Sequence, residues 1–225
     1  MLFFFILSGG RSFWQTPPGG NFALFAEDTR VSSADPRAEI PSETVLRRLV
    51  YRPEAIYTDV GSYKEGDDTW ITLEADVHVC TEISLARVKA VLIDYGNYVN
   101  TFKRTTASRF VREVDGAAEV FLQVTVGALG ITFVTNHSVL STKEIDENDC
   151  FLVRFSHLSD DGVVRNVRGY WFLKTVYVRG KPFTYIRYYS AQDSLKKNAL
   201  QKTATSMFIV SEYTGMLKEL LDAAK

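Results

Sequence analysis

From Trp70 the chain alternates. Ile71, Leu73, Ala75, Val77 and Val79 are apolar, and Thr72, Glu74, Asp76, His78 and Cys80 stand between them. Period two predicts a half-buried strand, because successive side chains leave a strand on opposite faces. After Thr81 the period becomes helical. Leu85, Val88, Val91, Leu92 and Tyr95 fall on one face, with Arg87, Lys89 and Asp94 off it, and Gly96 stops the helix. Residues 97–102 predict one more short helical turn. Six runs follow, at 104–114, 117–126, 131–143, 150–158, 163–178 and 183–190. Turn signals such as Asp115-Gly116, Asp161-Gly162 and Arg179-Gly180 separate them. Connections of a few residues join only antiparallel neighbours, since a parallel crossover needs about a dozen. The six runs are therefore a meander.

The last segment, 195–224, is helical. Leu200, Ala204, Met207, Val210, Thr214, Leu217 and Leu221 recur at helical spacing, and Asp193 or Ser194 is placed to cap it. Met207 to Val210 is apolar around one whole turn, which predicts cover on more than one side. A curved sheet wrapped around the helix supplies that cover. The expected fold is α+β: a curved seven-stranded antiparallel sheet around a long C-terminal helix, with two short helices after the first strand. The expected organisation is a leader or signal segment and linker over 1–41, an appended helix and connection over 42–66, and the main domain over 67–225. Ser42 caps the appended helix, Val45, Leu46, Leu49 and Val50 form its apolar face, and Pro53 ends it.

Composition narrows the function. Lys and Arg total 26 against 27 Asp and Glu, a net charge of −1. That balance supplies no surplus of cations for nucleic acid. Two cysteines, Cys80 and Cys150, do not make a disulfide scaffold or a four-thiolate zinc site, and their strands are not expected to be neighbours, so both are read as free thiols. Gly-x-Ser-x-Gly and Gly-x-Gly-x-x-Gly are absent. Aromatic residues make up 13% of the 225 positions, a share that builds either a large core or an apolar cavity. The runs at 1–7 and 22–26 are too short to span a bilayer. They admit two readings: an irregular export signal ending at Ala26, giving a periplasmic or secreted protein, or a leader on a cytoplasmic one.

Four stretches resemble the START-like (SRPBCC) superfamily of helix-grip proteins, over about residues 67–225. The helix through Ala86-Arg87-Val88 to Asp94-Tyr95 is similar to the family's first helix, and residues 97–102 take the place of its second. Gly169-Tyr170-Trp171-Phe172-Leu173 resembles the Gly-x-Trp-x-Leu of the sixth strand, and Thr184 to Tyr188 the Thr-x-x-x-Tyr of the seventh. The resemblance implies a cavity between the concave sheet face and the long helix that holds a lipid, sterol, isoprenoid or polyketide. It implies no cofactor and no stable insertion of the domain into a membrane.

Strand phase then nominates the lining. Leu122, Val124, Val153, Phe155, His157, Trp171, Leu173, Ile186 and Tyr188 form the concave set, and Met207, Val210 and Thr214 face them from the helix. The run 131–143 is ambiguous in phase; His137 is included as the inward polar group. A one-residue error would exchange any set with its opposite. His157, Tyr188 and Thr214 are expected to orient a head group, and access is expected where the helices of 85–102 part from the C-terminal helix. His137 and His157 fall short of a zinc site, because a third ligand is missing and His78 belongs to the opposite phase. The basic and aromatic residues Arg165, Arg168, Tyr170, Lys174, Tyr185, Arg187 and Tyr189 are expected on a solvated outer face. The leading expectation is a non-enzymatic binding module for a hydrophobic small molecule. The alternative is a cyclase or hydratase using His137 or His157 with Tyr188 as acid and base.

Overall fold

The computed structural model describes residues 36–128 and 131–225. The apolar runs at 1–7 and 22–26, and the signal reading attached to them, lie outside the described residues. A 3-10 turn at Pro36–Glu39 leads into helix α1, Glu43–Leu49. Strands β1, Glu54–Glu65, and β2, Asp68–Thr81, form a hairpin. Helix α2, Leu85–Ile93, and the short α3, Tyr98–Thr101, follow. Six strands succeed them: β3, Thr105–Val114; β4, Ala117–Ala128; β5, Ile131–Asp146; β6, Cys150–Asp160; β7, Val164–Val178; and β8, Lys181–Leu195. Helix α4, Gln201–Ala223, completes the described chain. No described helix is long and apolar enough to cross a membrane.

The sheet is antiparallel throughout and open, in the order β1-β2-β8-β7-β6-β5-β4-β3. The expected meander is present, and β8 returns to pair with β2. The fold is the expected helix-grip arrangement with eight strands instead of seven. The extra strand, β1, falls in the segment expected as a connection. It is an edge strand with a register shift between Ala55 and Tyr57 and most of its side chains half-buried. Its sequence therefore never settles into clean alternation. Asp115 and Gly116 both take positive φ at the β3–β4 turn, the conformation a two-residue hairpin needs.

Two boundaries moved for one reason. Asp193 and Ser194 do not cap α4; they lie inside β8, where Thr72 and Ile71 pair with them. Asp193 also accepts hydrogen bonds from Tyr63 Oη at 2.9 Å and Asn166 Nδ2 at 2.6 Å. Sheet pairing outcompetes local capping there, and Leu200 occupies the cap position without a side-chain bond. Ser42 does stand at the start of α1, but only its carbonyl is used, accepting from Leu46 N at 2.9 Å.

Both faces of the sheet are covered. On the concave face Val77, Val79, Phe151, Leu173 and Ile186 pack with Leu85, Val88 and Leu92 of α2 and Leu217, Leu220 and Leu221 of α4. On the convex face Leu46 and Leu49 of α1 pack on Cys80, Leu152, Tyr170, Phe172, Tyr185 and Tyr189. This corrects the expectation of a solvated outer face: Tyr170 is 1% exposed, Tyr185 0% and Arg187 2%. Arg187 is a buried ion pair. Its Nη2 donates to Asp76 Oδ2 at 2.7 Å and its Nη1 to Glu39 Oε2 at 2.8 Å. His78 bridges Asp76 and the Tyr185 hydroxyl at 2.8 and 2.9 Å. Burial alone would push the Asp76 carboxyl up, but the bonds from His78 and Arg187 outweigh it and hold it below the usual range. Cys80 and Cys150 are not joined in a disulfide and are buried in this convex core.

Candidate functional site

A cavity of about 640 Å³ lies between the concave face, helices α2 and α3, and α4. Strand pairing explains its wall. Leu122 lies opposite His137, Ser141 opposite Phe155, Val153 opposite Trp171 and Trp171 opposite Tyr188, and directly paired residues share a face. Position 169 interrupts the wall because it is glycine. A Cβ there would come within 2.1 Å of the Tyr189 carbonyl oxygen and 2.5 Å of the Phe155 ring, so the ring of the paired residue fills the space instead. Phe155 and Trp171 both stack or tilt onto Tyr188, with ring centroids at 6.1 and 4.1 Å, and Tyr213 of α4 stacks on it at 5.8 Å.

Seven of the nominated residues lie on the cavity wall: Leu122, Val124, His137, Val153, Phe155, Trp171 and Tyr188. The ambiguous strand β5 therefore turns Thr135, His137, Val139 and Ser141 inward. The side chain of Val126, which by alternation belongs with Leu122 and Val124, lies outside the described residues. Six others are not on the wall. Leu173 and Ile186 have the right phase but are fully buried in the core beneath it. His157 keeps its phase opposite Val139 but does not line the cavity, and the register shift that leaves Leu158 unpaired comes only after it. There the His157 ring bonds Asp160 Oδ2 at 2.8 Å. Met207 and Val210 are 63% and 47% exposed. Thr214 returns its hydroxyl to the Val210 carbonyl at 2.8 Å within α4.

The α4 error is one of helical phase. Phe208, Ile209, Glu212, Tyr213 and Met216 line the cavity, and they too follow i, i+3, i+4 spacing. Met207 to Val210 presents apolar side chains in both directions, and the sheet covers only one side. Composition within that turn carries no signal of which side. Tyr95, Tyr98 and Phe102 also line the cavity and escaped nomination: Tyr95 was placed only on the apolar face of its helix, and residues 97–102 were read as one short turn with no assigned face.

The polar groups of the interior are neutral and mostly committed. Tyr95 Oη and Ser141 Oγ share a bond of 2.9 Å, and Thr135 donates to the Val124 carbonyl at 3.3 Å. Tyr188 and Tyr213 stack on each other on the same wall as Ser190. Burial pushes both phenols up, Tyr188 to about 12. His137 is 7% exposed and its Nδ1 has no hydrogen-bond partner. Burial, helped by the nearby His157, pushes its imidazole down to about 4 against the pull of Asp161 and Asp160. Charge stays at the rim. Arg104 is ion-paired with Glu212, and Lys103 Nζ lies 3.7 Å from Glu219 Oε1. Among the described residues no cluster of three His, Cys, Asp or Glu is placed to hold a metal.

No family model matches the sequence, and no curated protein does either. Solved structures do match. The STAR-related lipid transfer protein from Xanthomonas axonopodis is 16% identical, with a TM-score of 0.54 over 73% of this chain and 98% of that one. The fold is START-like. The human StAR-related lipid transfer protein 5 has this START-like arrangement too, at 12% identity and a TM-score of 0.56, over 73% of this chain and 86% of that one. Human STARD10 matches at 10% identity and a TM-score of 0.53, over 83% of this chain and 80% of that one. At such identities the likeness is one of fold. What this START-like chain does is argued from its own cavity.

Proposed function

We propose that the chain encloses a hydrophobic small molecule, such as a lipid, between the concave sheet face and α4, and that it hands the molecule on. The observation that carries this reading is the cavity itself. Its volume of about 640 Å³ falls in the range of ligand sites, and its wall is mainly aliphatic and aromatic with a few neutral polar groups. Covering such a wall with an apolar ligand contributes about 25 cal/mol per Å² of area removed from water. The matched structures named as lipid transfer proteins support the same reading at the level of fold. Seven wall residues nominated from strand phase, from Leu122 to Tyr188, are proposed as ligand contacts. Access is proposed at the rim where Lys103 and Arg104, just after α3, meet Glu219 and Glu212 of α4, because polar contacts join the two sides there: Arg104 with Glu212, and the Lys103 Nζ and backbone N–H with Glu219.

Acid–base chemistry on a hydrophobic substrate has less support. It asks for two titratable groups in hydrogen-bond reach with pKa values near the working pH. Burial pushes the Tyr188 phenol far above neutrality and the His137 imidazole well below it. Native mass spectrometry of the purified protein, followed by solvent extraction, tests the binding reading. The expected result is a mass increment that disappears on extraction and returns when a lipid mixture is added. An unliganded protein that takes up no lipid from such a mixture would refute it.

A further inference from the structure

Resting on that reading, we infer that the molecule held in the cavity carries an uncharged oxygen group, a hydroxyl or a carbonyl, which hydrogen-bonds to His137. Molecules whose buried end is a carboxylate, sulfate, phosphate or ammonium are selected against. Three observations lead here. First, the charged side chains among the described lining residues are Lys103, Arg104, Glu212 and Glu219, and they pair with each other at the exposed rim. A charged head group inside would leave water with no opposite charge to meet it, which is among the most costly arrangements in a protein interior. Second, two of the interior polar groups nearest to His137 along the wall already have partners: Tyr95 with Ser141 and Thr135 with the Val124 carbonyl. Third, His137 stands on the cavity wall, more than nine-tenths buried, with Nδ1 unpartnered. Its acidic neighbours are not placed to serve it. Asp160 is bonded to His157 and to the Gly162 amide, and Asp161 to Asn136 and the Val163 amide. An imidazole so placed is a donor at one nitrogen and an acceptor at the other. A hydroxyl or a carbonyl matches one of these roles without bringing charge into the interior.

Matched ligands that differ only in the charge of one end test the inference. Affinities of the full chain for oleyl alcohol against oleate, and for cholesterol against cholesterol sulfate, are measured by displacement of a fluorescent fatty probe at about pH 8, where the acids are ionised. The neutral member of at least one pair is expected to bind about tenfold more tightly or better. His137→Phe keeps an aromatic ring but removes hydrogen bonding. It is expected to weaken the preferred neutral ligand about fivefold and to leave 1-octadecene unchanged. His137→Gln is expected to restore most of the loss. Equal or tighter binding of the anionic members overturns the inference and leaves the binding function standing. A His137→Phe protein that still prefers the neutral member by the same ratio overturns the role of His137. Failure of every skeleton, 1-octadecene included, overturns both this inference and the proposed function.

Discussion

Strands β7 and β8 present aromatic side chains on both faces, and the two faces end differently. Inward, Trp171 and Tyr188 border about 640 Å³ of space. Outward, Tyr170, Phe172, Tyr185 and Tyr189 pack with Leu46 and Leu49, and Tyr170 and Tyr189 border a smaller cavity of about 300 Å³. The strands and the residue types are the same, so composition is not what separates a cavity from a core. The covering element separates them. Helix α4 packs closely through Leu217, Leu220 and Leu221, but its first half meets the wall through Phe208, Glu212 and Tyr213 and leaves a gap. The Pro36–Leu49 segment is short and lies directly on the convex face, held by the Glu39–Arg187 ion pair and by the packing of Leu46 and Leu49.

The largest expected effect breaks the closed face. Asp76→Ala leaves Arg187 buried with only the half-exposed Glu39, and the expected loss is about 3–5 kcal/mol in urea unfolding. The double variant Asp76→Leu with Arg187→Met is expected to recover most of it. A loss under about 1 kcal/mol for the single variant would mean that water reaches this site and that the convex face is not a closed core.

Truncation compares the faces directly. Leu49→Ala removes a side chain with no exposure, at an expected cost of about 2–5 kcal/mol. Leu122→Ala removes one that already borders space, at an expected cost under about 2 kcal/mol, while ligand retention falls. Equal costs at the two sites would contradict the contrast.

Titration separates them next. His137 takes a proton near 6.5 when unfolded and only near about 4 in the folded chain. Between those values the unfolded chain holds more protons, so stability falls as pH falls from 6.5 towards 4, by about 3 kcal/mol in total. Asp76 acts lower. Its carboxyl is depressed from 3.8, so its contribution is present above that value and is lost as pH falls below it. Stability measured across the acid range is expected to lose its upper slope in His137→Phe and keep the lower one. An unchanged slope between pH 6.5 and 4 would mean that His137 is solvated.

The smallest effect is on α4. Met207→Gln on its exposed side is expected to change stability by less than about 0.5 kcal/mol and to leave ligand retention unaltered. Loss of bound ligand in this variant would place the cavity wall on the wrong side of the helix.

Strand phase was legible because alternation is a local property. Leu122, Val153, Trp171 and Tyr188 share a face for the same reason that Tyr170 and Tyr189 share the other. The six-strand meander was legible too, since short turns leave neighbours no choice but to pair. Strand β1 was not, because an edge strand with a bulge has no buried face to impose a period. The phase of α4 was not, because Met207 to Val210 is apolar on both sides. Nor was the burial of Arg187, because a charged residue at an outward position reads as solvated until its partners, Asp76 and Glu39, are brought from distant parts of the chain.

The amino-acid sequence by itself determined which side chains leave the sheet together, and with that the order of strands and the residues able to border a cavity. Only the tertiary structure decided which face holds the larger space, which side of α4 closes it, and that His137 rather than His157 stands at its wall. Those outcomes depend on how far a covering element stands from the sheet and on how far along the strands the cavity reaches. Both are distances between parts of the chain that local periodicity does not encode.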